Sequence, residues 1–199
     1  MDFIYSFLPE ALSNWQVVLL VVTAAFTSFI TAAVGVGGGV LLLAVLSLVI
    51  PVSAIIPVHG LVQFGSNAYR SVLMWRHIDW LTVLYFMPGA LIGAALAAVF
   101  LVELPLPLLQ LAIASFILYL CWGPRLPARA LSNWGVLIAA GITTFVSHFV
   151  GATGPLVAAF IKQKFADNRH VSVASFAVTM TLQHGRKAVV YGVAGFAFK

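Results

Sequence analysis

Apolar residues run almost unbroken from Trp15 to Ala33, with Ser13 and Asn14 placed to cap the helix they predict. The run then meets AAVGVGGGVLLL, Ala32 to Leu43, where Gly35, Gly37, Gly38 and Gly39 cluster. Glycine costs about 1 kcal/mol relative to alanine inside a helix, so four of them predict an interruption. At membrane depth the freed backbone groups must meet protein or a water-filled cavity. Close helix packing through small residues is the other use of such a stretch, and the stretch alone leaves both open. Val40 to Ile50 is apolar but too short to cross a bilayer upright. Pro51 and Ser53 mark a turn, and a helix follows from Ala54 to about Trp75. Trp80 to Phe100 reads as a clean span with Gly89 and Gly93 as packing positions, and Pro105 opens another to Trp122. Trp134 to Val150 is apolar again, VGATGP (Val150 to Pro155) breaks it, and a short run reaches Ile161. The basic segment KQKFADNRH leads into a last helix from Val171 to about Tyr191.

Long continuous apolar runs, rather than alternating ones, are the mark of helical membrane spans. The pattern predicts an all-α polytopic membrane protein, one integral membrane domain over residues 1–199, with about seven or eight membrane segments. Composition agrees: 62% of residues are hydrophobic and 8% charged, against roughly 25% charged in soluble domains. The lone Cys121 excludes an internal disulfide and supplies no metal cluster. The N-terminal segment has Asp2 and Glu10 but no Lys or Arg. It therefore lacks the basic region of a secretory signal, and the first span is expected to be retained.

Net charge is +5, which in such a chain reports orientation rather than nucleic-acid binding. Arg70, Arg76, Arg125, Arg129, Lys162, Lys164 and Arg169 fall at one set of ends. The N-terminus, Pro51 to Ser53 and Leu101 to Leu104 carry no Lys or Arg. The positive-inside rule puts the basic ends in the cytoplasm and the N-terminus outside.

An internal repeat emerges when Val34 to Val40 is laid on Val150 to Leu156. Each segment follows a span and precedes a short apolar run, a polar turn and a helix with a polar stripe. The stripe is Gln63, Asn67 and Arg70 in the first copy and Met180, His184 and Lys187 in the second. Repeat 1 covers about residues 15–100, a connecting span about 105–122, and repeat 2 about 133–199, which looks incomplete. The first copy starts outside and the second inside, so the expected architecture is an inverted-repeat helical bundle with two glycine-broken helix pairs. Such paired interruptions point to a secondary transporter with its substrate near the midplane; chance likeness of two glycine-containing apolar segments is the competing account. Arg186 and Lys187 would lie toward the outer end of the last helix, as a solvated interfacial pair or, for Lys187, as the mirror of Arg70 in a polar cavity.

The chemistry follows from what is missing. The five acids, Asp2, Glu10, Asp79, Glu103 and Asp167, all sit at predicted ends or loops. This disfavours a carboxylate cation site, an intramembrane aspartyl protease and a metalloenzyme, and no triad can be assembled. GVGGG lacks the GxGxxG spacing and its later acid, so nucleotide binding is excluded as well. Left inside are amides, hydroxyls, basic groups and helix N-termini at the breaks, which suit an anion. The candidate substrate-binding residues are Gly35, Gly37, Gly38, Gly39, Gln63, Asn67, Arg70, Gly151, Thr153, Gly154, Pro155, His184 and Lys187. His59 and His148 read as hydrogen-bonded packing residues, His77 and His170 as solvated, whereas His184 can also carry protons near neutral pH. No enzyme activity, cofactor or metal is expected. The partners expected are a small anionic substrate and the lipid bilayer, and no nucleic acid.

AAVGVGGGVLLLAVL with a following N-x-x-R helix, repeated as VGATGPLVAAFI with H-x-x-K, resembles the sulfite exporter TauE/SafE family of membrane permeases, over about residues 15–192. The resemblance implies transport of sulfite, sulfonates or related sulfur-containing organic anions, often outward, across the bacterial inner membrane. An anion channel or a non-transporting membrane subunit on the same scaffold is the alternative. One departure stands out: the second copy ends soon after Tyr191, where family members continue with at least one more span. A truncated or short member, or a homo-oligomer or partner supplying the missing helix, is the corresponding expectation.

Overall fold

The computed structural model describes residues 12–35, 37–100, 132–151 and 153–193, with Leu111, Ser115, Leu118 and Trp122 as single helical positions. Among the described residues there are seven bounded α-helices and no strand. They are α1 (Asn14–Val34), α2 (Gly38–Val49), α3 (Val52–Leu73), α4 (Trp80–Phe100), α5 (Asn133–Val150), α6 (Gly154–Lys164) and α7 (Arg169–Val193), with a 3-10 turn at Trp75–His77. The span expected over 105–122 and the loop carrying Arg125 and Arg129 lie outside the described residues, apart from the single positions named above.

Local chemistry sets the ends. The Gln16 side chain accepts a hydrogen bond from the Ser13 backbone N–H at 2.9 Å, and Ser132 accepts one from Gly135 at 3.1 Å at the start of α5, both N-terminal caps. Helix α1 stops at Gly35 and α5 at Gly151, each with φ +84°, a left-handed value that side-chain-bearing residues rarely adopt. Both glycine segments thus interrupt their helices. Residues 54–75, expected as one helix, are instead α3, which starts at Val52 and ends at Leu73, followed by the tighter turn.

Among the described residues three helices are long and apolar enough to cross a membrane: Asn14–Val34, Trp80–Val99 and Asn133–Val150. α1 presents Val18, Val21, Val22, Phe26 and Phe29 outward, all more than half exposed, as lipid-facing helices do. α3 and α7 are less apolar and pack extensively on each other, burying the polar residues that line their contact. Polar side chains line this contact inside the bundle, while many large apolar ones face outward.

The tightest pair is α4 with α5. A Cβ at Gly89 would run into the Leu137 carbonyl, and one at Gly93 into that of Gly141. Small residues four apart allow this approach of two backbones, which drives association in lipid. Phe86, Ala90, Val136, Ala140, Phe160, Ile161, Phe176 and Met180 then form the main apolar core among α4, α5, α6 and α7. A second core, Leu42, Leu46 and Ile55, joins α2 to α3.

Candidate functional site

Helices α2 and α6 are short because each begins at a glycine break, and both breaks open on the same place. The cavity there is lined by Thr31 of α1, Gly37, Gly39 and Val40 at the head of α2, and His59 and Gln63 of α3. Gly154 and Pro155 at the head of α6, with Phe176, Met180 and His184 of α7, complete it. Its volume is about 20 Å³, room for a single water, which needs roughly 10–15 Å³ on this measure. The first amides of a helix have no partner within it and carry the positive end of the helix dipole. Two such ends converge here.

The side chains around the cavity form two chains of hydrogen bonds. On α3, Asn67 donates to the Gln63 carbonyl at 2.7 Å and to its side-chain oxygen at 3.2 Å. Arg70 donates to Asn67 at 3.2 Å and to the Ser28 carbonyl at 3.4 Å. At the second break, Thr153 donates to Gln183 at 2.9 Å, and Gln183 donates to Thr144 at 3.1 Å and to Thr143 at 3.4 Å. This ties the break to α5 and α7 together.

Lys187 is wholly buried. Its ammonium donates to the carbonyl oxygen of Gly151 at 2.8 Å, and its stem lies across Gly60, where an added Cβ would come within 2.9 Å of Cδ. Among the described residues no carboxylate pairs with it or with Arg70. Of the described acids, Asp79 accepts from the backbone of Thr82 at the start of α4, away from the cavity.

Three histidines surround Lys187. His59 Nε2 donates to the Gly39 carbonyl at 2.9 Å, and His148 Nδ1 donates to the Thr144 carbonyl at 2.8 Å. Since a carbonyl only accepts, each proton position follows from its partner. His184 stands edge-on to His59 with ring centroids 5.8 Å apart.

Of the residues singled out in the sequence, Gly37, Gly39, Gln63, Gly154, Pro155 and His184 line the cavity. Gly35 and Gly38 shape the first break; Gly151, Thr153 and Lys187 shape the second. Asn67 is one hydrogen bond back from the cavity. Arg70 lies apart, in an open groove of about 490 Å³ between α1 and α3 with Ser28, Ser66 and Tyr69. Sequence reasoning left out Thr31, Gln183 and, as site residues, His59 and His148. His59 is hydrogen-bonded as a packing residue is, yet it also faces the cavity. Its position four residues before Gln63 on the polar stripe was the available signal.

The family model described as sulfite exporter TauE/SafE matches residues 20–197 of the chain. Comparison with curated proteins and with solved structures returned no match.

Proposed function

The chain belongs to the sulfite exporter TauE/SafE family, a family of membrane transporters, and from that premise we propose that it is a secondary permease for small anions. The substrates are sulfite, sulfonates and related sulfur-containing organic anions, carried outward across a bacterial inner membrane by a multi-pass protein whose N-terminus lies outside. One observation carries the reading: two glycine breaks meet at one cavity near a buried Lys187 that has no carboxylate partner among the described residues.

In this reading the amides at the heads of α2 and α6, the Gln63 amide and the imidazoles of His59 and His184 touch the anion. Lys187 supplies the positive charge that balances it. A buried ammonium without a counter-charge is costly by several kcal/mol, and an anion is the counter-charge that the described residues do not provide. The repeated order of long helix, left-handed glycine, short helix and polar-striped helix supports an inverted-repeat architecture, in which transporters hold substrate between broken helices. A sulfur oxyanion is larger than one water, so the cavity is the closed stage of the cycle, and α2 and α6 must part from α3 and α7 to admit it.

Purified protein in proteoliposomes loaded with sulfite or an alkanesulfonate tests this. Saturable flux with counterflow is the expected result, lost in Lys187→Ala and Gln63→Ala. Linear, non-saturating conductance would instead identify an anion channel on the same scaffold. Absence of flux for every oxyanion would identify a non-transporting subunit, and unchanged flux in both variants would overturn the site.

A further inference from the structure

Arg70 takes no part in the cavity. It lies in the groove of about 490 Å³ between α1 and α3 and is only 8% exposed. Its guanidinium is always charged and carries several N–H groups. Two of its hydrogen bonds go to neutral oxygens, the Asn67 side chain and the Ser28 carbonyl, and among the described residues no carboxylate balances it. A cation withdrawn from water at a membrane-facing groove is costly, so its charge calls for an anion from outside the chain.

The hydroxyls of the groove point the same way. A helical serine can return its hydroxyl to a carbonyl of the preceding turn, as Ser47, Ser71 and Ser147 do. Ser28, Ser66 and Tyr69 stand in the groove with Arg70, and among the described residues their hydroxyls make no hydrogen bond. One charged donor and three free hydroxyls therefore share one opening.

The shape of the groove narrows the ligand. Ala24 and Val62 sit near the middle of α1 and α3, and Ala32 and Leu73 near their C-terminal ends, so the groove follows the same half of both helices. Ala24 to Ala32 rises about 12 Å, close to the roughly 15 Å of one leaflet in a 30 Å hydrocarbon core. The deep end is apolar, with Ala24, Ala25 and Val62, and the polar groups follow toward the helix ends. Those ends are the basic ones: Arg169 and Lys162 donate to the Ala33 and Val34 carbonyls where α1 stops. An apolar deep end and a cationic end near the surface is the polarity order of a phospholipid standing in that leaflet. Basic pockets between membrane helices are where anionic headgroups bind.

We propose that the α1–α3 groove binds one anionic phospholipid, with its phosphodiester on Arg70 and the hydroxyls of Ser28, Ser66 and Tyr69 and an acyl chain along Ala25 and Val62. The proposal needs the membrane spans and is independent of the permease reading. A zwitterionic lipid fits less well, because its own ammonium competes with Arg70 for the phosphate.

Full-length protein, stripped of lipid in detergent, is titrated with phosphatidylglycerol or with phosphatidylcholine of the same chains. Native mass spectrometry reads the fraction of protein carrying one lipid. Phosphatidylglycerol is expected to bind about tenfold more tightly, the scale of a charge-assisted contact. Arg70→Gln should bring the two lipids within about twofold of each other. Ala25 is exposed, so Ala25→Phe fills the apolar half of the groove without disturbing the fold or any cation, and should weaken both lipids about tenfold. Equal wild-type affinities overturn the proposal, as does a preference that Arg70→Gln keeps, or binding that Ala25→Phe leaves unchanged. Displacement of the lipid by soluble glycerol phosphate at equal concentration would identify a free-phosphate site, and displacement by an alkanesulfonate a vestibule for the transported anion; either result overturns the lipid assignment. Should Arg70→Gln fail to fold, the wild-type preference and Ala25→Phe decide the matter between them.

Discussion

The Lys187 ammonium donates to the carbonyl oxygen of Gly151, 36 residues earlier, at 2.8 Å. This bond joins the polar stripe of α7 to the glycine break that ends α5, and it buries a cation that has no carboxylate partner among the described residues.

Lys187→Met separates function from stability. Replacing a buried charge by an apolar side chain of similar volume is often neutral or stabilising by about 1–4 kcal/mol. The variant is expected to melt at the wild-type temperature or above it in detergent. Sulfite or sulfonate affinity should nevertheless fall about 30-fold or more, the roughly 2 kcal/mol lower end for losing a buried charged hydrogen bond. A melting temperature that drops while affinity holds would show that the lysine is structural.

The two glycines with left-handed backbone should differ in tolerance. Gly35→Ala and Gly151→Ala each face a cost of about 1–2 kcal/mol for their φ of +84°. An added Cβ at Gly151 also comes within 3.0 Å of Leu43, whereas at Gly35 the nearest atom is the flexible Lys162 stem at 3.4 Å. Thermal unfolding should therefore rank Gly151→Ala below Gly35→Ala, and both below wild type.

The α4–α5 contact gives an opposite pair of outcomes. Gly93→Val meets the Gly141 backbone and is expected to destabilise by at least about 2 kcal/mol, within the range for overpacking a close contact. Gly65→Ala, on α3, has open space around it and should stabilise by up to about 1 kcal/mol through helix propensity. Both are read as changes in unfolding midpoint in the same detergent.

At the end of α1, Arg169 donates to the Ala33 carbonyl at 3.2 Å and Lys162 to the Val34 carbonyl at 3.4 Å. These exposed cations face the negative end of the helix dipole. Removing either by alanine should cost about 0.3–1 kcal/mol at low salt, and the loss should shrink in 1 M salt, where the screening length is about 3 Å. A loss that persists at high salt would count against the dipole account.

How much of this was readable beforehand depends on the physics of each feature. The two breaks were legible because glycine carries its conformational consequence in the local chain, and Gly35 and Gly151 take the backbone shape that the clusters promised. The buried stripes of α3 and α7 were legible because a period of 3.6 fixes which residues share a face. The cavity contacts of His59 were not, since they depend on α2 folding back so that Gly39 meets a residue 20 positions later. Nor was the separation of Arg70 from Lys187. Aligning Asn-x-x-Arg with His-x-x-Lys equates positions in two copies, but it carries no distance between them, and Arg70 lies in a groove of its own.

A cavity with room for one water also acts as insulation. Bacterial membranes hold a voltage, and each charge gains about 2.3 kcal/mol per 100 mV on crossing. A standing pore lined by cationic and dipolar groups would drain anions down that gradient continuously. In the proposed permease, closing two helix ends, Gln63 and a pair of imidazoles around a space of about 20 Å³ blocks idle current between turnovers. On that proposal, tightness at rest and selectivity during passage come from the same few residues, and a substitution that enlarges the space should first be felt as leak.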